Sequence, residues 1–291
     1  MRRKRAPGTL ELEELARPQA GGADLELVWM FLTGLGGGLA GGLLGIGGSI
    51  VMIPLMTLLF GPQQHLYQAA AMIVNFFVGA PAVFQHLRAR AIMGTVVRQM
   101  VPAASVCVVL GVLASELPVF KGERSVYLTG AFGLVLLGVA ADDIRKVLGR
   151  GKAGGSPTQI NDPASAQRGA WVVGIPVGFL AGLLGVGGGF VAVPLQQRLL
   201  GLPLRNAIAN SAATFVVSSV IGAGFKNYAL VTEQGHPLWD SLRLALMLIP
   251  GAVLGSLIGA YLTHVLPVRV VHGVFTVFLL FAAGRMMLYA L

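Results

Sequence analysis

Apolar residues gather in blocks at about residues 27 to 60, 68 to 85, 99 to 116, 125 to 141, 170 to 200, 206 to 225, 244 to 264 and 268 to 284, separated by charged and turn-forming positions. A helix of about 17–25 apolar residues crosses a bilayer, so most blocks fit one span, whereas the first and fifth are too long for a straight crossing. With 55% hydrophobic residues, 11% charged and a mean hydropathy of +0.76, the chain has more apolar surface than a soluble domain can bury. The pattern predicts an all-α polytopic membrane protein of about eight transmembrane helices. The first 25 residues follow a basic start with acidic turns and no apolar core, so they read as a tail rather than a signal peptide. Cys107, the single cysteine, excludes an internal disulfide and a cysteine-cluster metal site.

The chain repeats itself. GGLAGGLLGIGGSIVMIPL at Gly37 to Leu55 returns as VGFLAGLLGVGGGFVAVPL at Val177 to Leu195, with ten identities in the eighteen positions from Gly38 to Leu55. Pro102 and Gly111 likewise find Pro250 and Gly259, 148 positions on. The expected domains are a cytoplasmic N-terminal tail (1–26), a first four-helix repeat (27–148), a cytoplasmic linker rich in Gly, Ser and Pro (149–169) and a second four-helix repeat (170–291). If each long block crosses once, 16 of the 21 basic residues fall on the side of the termini and 5 on the other. By the positive-inside rule both termini are then cytoplasmic, and repeats of four spans share one orientation, related by an axis along the membrane normal.

Two demands are written into the repeated phrase. Gly34, Gly38 and Gly42, mirrored by Gly174, Gly178 and Gly182, line one face of a helix and let another helix approach closely. The GxGG at Gly45 to Gly48 and Gly185 to Gly188 weakens the helix at about 1 kcal/mol per glycine relative to alanine. The first and fifth helices are therefore expected to be broken or re-entrant there, with freed N–H groups and a positive half-helix dipole turned toward an anion. A packing role alone, with unbroken helices in a membrane scaffold, is the rival reading.

Buried polar groups extend the candidate site, since polarity at membrane depth is costly. The expected substrate-binding residues are Gly45, Gly47, Gly48, Ser49, Asn75, Gly185, Gly187, Gly188, Gly189, Asn210, Ser211 and Thr214; Asn210, Thr214 and Ser218 recur every four residues on one helix face. All twelve acidic residues lie in tails, loops or span ends, which disfavours cation transport and a carboxylate metal site. No histidine shows HExxH spacing and no serine has an intramembrane base in its segment, so no catalytic residue, enzyme activity, metal or cofactor is expected. Arg98, Lys226 and Arg243, near span ends, are candidates for a basic vestibule recruiting anions. The expected partners are a small anionic substrate and membrane lipid, with no nucleic acid and with homo-oligomerisation left open.

The doubled glycine phrase ending in proline and an aliphatic residue resembles the sulfite exporter TauE/SafE family of bacterial membrane permeases, over roughly Leu27 to Leu288. The resemblance implies a multi-pass protein of the bacterial cytoplasmic (inner) membrane that moves small sulfur-containing anions such as sulfite or sulfoacetate by alternating access between the two repeats, with export as the expected direction and a permease for another small anion or metabolite as the alternative. The family's small-Thr-Ser motif in the second span corresponds to Ala209, Asn210 and Ser211 in the second half and to the apolar Met72, Ile73 and Val74 in the first. A site richer in second-half ligands follows from that difference.

Overall fold

The computed structural model describes residues 20–147, 163–262 and 268–290. Residues 1–19 of the expected tail and 149–162 of the expected linker lie outside the described residues. Ten α-helices are described: α1 Ala20–Leu44, α2 Ser49–Phe60, α3 Gln64–Arg88, α4 Gly94–Ser115, α5 Ser125–Val147, α6 Pro163–Leu184, α7 Gly189–Leu199, α8 Leu204–Gln234, α9 Leu238–Leu262 and α10 Val268–Ala290. Six of them, α1, α3, α4, α5, α8 and α9, are long and apolar enough to cross a membrane. The expected tail boundary at residue 26 moves back, since α1 begins at Ala20.

The first and fifth helices are broken at each GxGG, as expected, and six helices among the described residues are long and apolar enough to cross a membrane. The helix ends at Leu44, and α2 turns back along α1: a Cβ on Gly41 would meet the Gly48 nitrogen at 3.0 Å, one on Gly37 the Met52 side chain at 2.4 Å, and one on Gly36 lies 4.0 Å from Leu55. Residue numbers fall on one helix as they rise on the other, the signature of an antiparallel hairpin. In the second half Gly188, at the start of α7, sits against Val177 and Ala181 of α6. Each long block is thus a re-entrant hairpin rather than one crossing, which resolves its excess length.

Relative helix directions follow from the same pairings. On α3 and α8, Ala69, Met72 and Gly79 meet Asn227, Gly222 and Val216 in turn, so the two run antiparallel. They occupy corresponding places in the two halves of the sequence, so the halves do not share one orientation, and the expected axis along the membrane normal is corrected to one across the helices. The loop charges rearrange accordingly. Arg205 at the start of α8 donates to the Ala89 carbonyl at 3.2 Å, at the end of α3, while Lys121 pairs with Glu233 at the end of α8. The 16-to-5 partition assigned Arg205 and Arg88 to opposite sides; here they share one end, which removes that argument for cytoplasmic termini.

Glycine ladders lock this arrangement. A Cβ on Gly34, Gly38 or Gly42 of α1 would stand 2.2, 2.1 or 2.4 Å from the carbonyl oxygens of Leu248, Ala252 and Ser256 on α9. Gly251, Gly255 and Gly259 return the contact onto the carbonyls of Phe31, Leu35 and Leu39. The partner numbers rise together, so α1 and α9 run parallel. Gly174, Gly178 and Gly182 of α6 lie the same way on Met100, Ala104 and Val108 of α4. Lipid supplies little hydrophobic drive for helix pairing, so close backbone contact supplies van der Waals energy and Cα–H···O contacts. Each hairpin is held by a helix from the opposite half.

Gly38→Leu is expected to destabilise by about 1–3 kcal/mol or more through overpacking against the Ala252 backbone. Gly138→Ala, where an added Cβ meets nothing within 4 Å, is expected to be neutral or stabilising by up to about 1 kcal/mol. Thermal unfolding in detergent reads both; an unaffected Gly38→Leu protein would disprove this helix register.

Candidate functional site

The two hairpin tips need backbone conformations that a side chain resists. Gly45 and Gly47 have φ of 65° and 88°, and Gly185 and Gly188 have φ of 72° and 69°, all left-handed. The copies reverse the chain with different members of the same motif: the first and second glycines in one half, the first and third in the other.

The tips meet. A Cβ on Gly47 would stand 3.2 Å from the Gly187 Cα, and one on Gly189 would stand 2.4 Å from the Gly45 carbonyl oxygen. The N-terminal ends of α2 and α7 are brought together at this junction, and their dipoles direct positive potential into it. Backbone groups released by the breaks find partners. The Ser49 N–H donates to Asn75 Oδ1 at 3.2 Å, Asn75 Nδ2 donates to Ser49 Oγ at 2.9 Å, and the Gly187 N–H donates to the same Oγ at 3.2 Å. Gln68 Nε2 donates to the Leu183 carbonyl near the end of α6 at 3.3 Å. The expectation that the GxGG amides stand free is therefore corrected at Ser49 and Gly187, since unpaired amides at this depth would be costly and neighbouring side chains take them.

Beside the junction lies a small buried cavity of ≈ 10 Å³, the room of about one water. Its polar wall is Asn75, Gly187, Ser218 and Ser219; Met72, Val108, Ala181 and Val186 complete it, and all eight are buried. Ser218 and Ser219 donate to the carbonyls of Phe215 and Val216 in their own helix, leaving oxygen lone pairs toward other groups. No charged side chain lines the cavity. Its chemistry is that of neutral amide and hydroxyl groups beside two helix N-termini, suited to a small polar or anionic species.

The structure brings together Gly45, Gly47, Gly48, Ser49, Asn75, Gly185, Gly187, Gly188 and Gly189 at the hairpin junction. Asn210, Ser211 and Thr214 bond to other partners, on the stretch of α8 whose Ile208 and Phe215 lie against Gly45 and Gly187. Asn210 Oδ1 accepts from the Met93 N–H at 2.8 Å and its Nδ2 donates to Gln196 Oε1 at 3.2 Å; Gln196 Nε2 donates to Ser211 Oγ at 2.9 Å. Thr214 donates to the Asn210 carbonyl at 2.8 Å. These residues tie the ends of α4, α7 and α8 together. The cavity-lining residues of α8 lie one turn further along the expected stripe, at Ser218 and Ser219. Ser218 belongs to the four-residue spacing that begins at Asn210, which was the available signal.

The vestibule residues also separate. Arg98 and Arg243 are exposed but start the helices α4 and α9, whose directions oppose, so they stand at opposite ends of the bundle. Arg243 borders a larger groove with Phe31, Trp239 and Met247. Lys226 is not at a surface at all: it is 0% exposed and paired with Glu116 at 2.7 Å. The helix runs on to Gln234, past the expected span end, with the ammonium enclosed beside its carboxylate partner.

A membrane-embedded helical bundle with two hairpins meeting tip to tip at a buried polar cavity defines the class of membrane transporters with discontinuous helices. Within it, residues 30–286 match the sulfite exporter TauE/SafE family, and the chain belongs to that family. It is 28% identical to the probable membrane transporter protein MamO of Paramagnetospirillum magneticum over 91% of this chain and 45% of that protein, so it spans under half of that relative. It is also 24% identical to the probable membrane transporter protein YunE of Bacillus subtilis, over 81% of this chain and 88% of that one. A shorter match, 29% over 42% of this chain and 28% of the relative, is to Sulfite exporter TauE/SafE family protein 2 of Arabidopsis thaliana. No solved structure matches.

Asn75→Leu would leave the Ser49 N–H without its acceptor, and is expected to lower stability by about 1–3 kcal/mol. Ser218→Ala removes a bond within one helix, and is expected to cost no more than about 1 kcal/mol. Unfolding midpoints in detergent compare the two; equal losses would show that the Asn75 triangle does not hold the tips.

Proposed function

We propose that this protein carries a small sulfur-containing anion, such as sulfite or sulfoacetate, across the bacterial cytoplasmic membrane by alternating access between two inverted repeats. The observation that carries the reading is the contact of Gly47 with Gly187 beside a cavity walled by Asn75, Ser218 and Ser219. Two hairpins of opposite orientation deliver two helix N-termini to one point, where backbone N–H groups and neutral side chains favour negative charge without a buried cation's desolvation cost.

A cavity of ≈ 10 Å³ is too small for sulfite, so this arrangement is a contracted one in which Ser49 Oγ and Asn75 Oδ1 take the donors that a substrate oxygen would use. Substrate binding then exchanges these internal bonds for bonds to the anion as the hairpins separate. Export follows from electrostatics, since an inside-negative potential favours outward movement by about 2.3 kcal/mol per charge per 100 mV. The related proteins named as probable membrane transporters and as sulfite exporter family members support the class and, for the plant relative, the sulfite term in its name.

Replacing Gly47 or Gly187 by leucine puts a side chain on the opposing tip, and is expected to reduce labelled sulfite flux in proteoliposomes at least tenfold. Competition by sulfoacetate, thiosulfate, sulfate and acetate ranks the substrate class. Undiminished flux in both variants would rule out the hairpin junction as the site.

A further inference from the structure

The buried stripe of α8 does not stop at the cavity. From Ser218 the four-residue spacing passes Gly222, which packs on the cavity-lining Met72 and Val108, and reaches Lys226. The Lys226 ammonium has three N–H bonds and three acceptors around it: His65 Nδ1 at 2.9 Å, Ser115 Oγ at 2.8 Å and Glu116 Oε1 at 2.7 Å. All three acceptors belong to the first half of the chain, on α3 and the end of α4. Gln234 Nε2 donates to the other Glu116 oxygen at 2.8 Å. His65 Nε2 lies 2.8 Å from the Phe120 carbonyl, so that nitrogen carries the ring proton and Nδ1 is left to accept.

The carboxylate in this cluster sits on a separable support. Glu116 is the first residue beyond α4, where the helix dipole presents its negative end and disfavours a carboxylate. What keeps it there is Lys226 and Gln234, both on α8. A lysine fully enclosed in the protein cannot be stripped of its counter-charge without a large penalty. If α8 parts from α3 and the end of α4 at this end, as alternating access requires, Lys226 leaves Glu116 behind and another anion must take its place.

We propose that Lys226 and Gln234 form a second anion station on the path to the cavity, filled in this conformation by the Glu116 carboxylate, and that a small oxyanion exchanges with Glu116 there. The inference rests on the proposed anion transport and adds a charged station to a central site that has none. The ligand class is a singly or doubly charged oxyanion, whose oxygens can accept from the ammonium and the amide as the two carboxylate oxygens do.

The test titrates sulfate, sulfite and chloride against the purified full chain in detergent and reads thermal stabilisation. Glu116→Gln removes the built-in anion, and the sulfate or sulfite concentration for half-maximal stabilisation is expected to fall at least tenfold. Lys226→Met combined with Glu116→Leu removes both charges, a replacement that buried ion pairs commonly tolerate, and is expected to abolish the tightening. If Glu116→Gln is recovered folded only when sulfate is present during extraction, the station is supported in the same way. Unchanged affinity in Glu116→Gln, tightening that persists without Lys226, tightening for chloride alone, or a Glu116→Gln protein that no anion rescues would each overturn it. Failure of the central site is read separately, by flux through the Gly47 and Gly187 variants.

Discussion

Backbone polar groups cannot be left bare inside a bilayer, and the architecture of this protein follows from how it meets that constraint while breaking two helices. At Gly45 and Gly185 the chain abandons the helix, which releases N–H and carbonyl groups that water would satisfy in a soluble protein. Here the satisfaction comes from other parts of the chain: Asn75 and Ser49 for the N–H groups of Ser49 and Gly187, and Gln68 for the Leu183 carbonyl. Two of these bonds cross between the halves, Ser49 to Gly187 and Gln68 to Leu183. The tips are consequently a joint property of both halves, and neither hairpin is complete without the other.

The glycine ladders supply the rigidity that this junction needs. Because α1 lies on α9 and α6 lies on α4 at backbone contact distance, each hairpin moves with a helix of the opposite half. Small shifts at such an interface are resisted steeply, since a Cβ has no room and carbonyl oxygens already touch Cα atoms. The contacts between α3 and α8 are of a different kind: they carry the cavity between them and end in hydrogen-bonded clusters rather than in glycine ladders.

The glycine periodicity made much of this legible. Gly34, Gly38 and Gly42 do line a close helix contact, and the chain does leave the helix at both GxGG motifs. What the pattern could not show is direction. A long apolar block reads the same whether it continues or folds back, because hydropathy carries no sign along the membrane normal. The wrong choice there carried over into the repeat axis and the charge count. The spacing of Asn210, Thr214 and Ser218 does mark a buried face, but periodicity does not say which turn of that face lines the cavity. Gln68 and Gln196 went unnoticed because both sit near span ends, where polarity is expected.

The inversion also makes the two ends of the bundle comparable residue by residue. An offset of 140 carries His65 onto Arg205 and His86 onto Lys226, so at each end of the pair a histidine of α3 stands at the level of a basic residue of α8. The balance differs in one group. At the Lys226 end Glu116 closes the cluster and the lysine is fully enclosed, while Arg205 at the other end is exposed and bonds to a backbone carbonyl. Glu116 thus distinguishes two otherwise similar ends: one is closed by a fully buried ion pair that low-dielectric surroundings make costly to break, the other by exposed hydrogen bonds that water can replace.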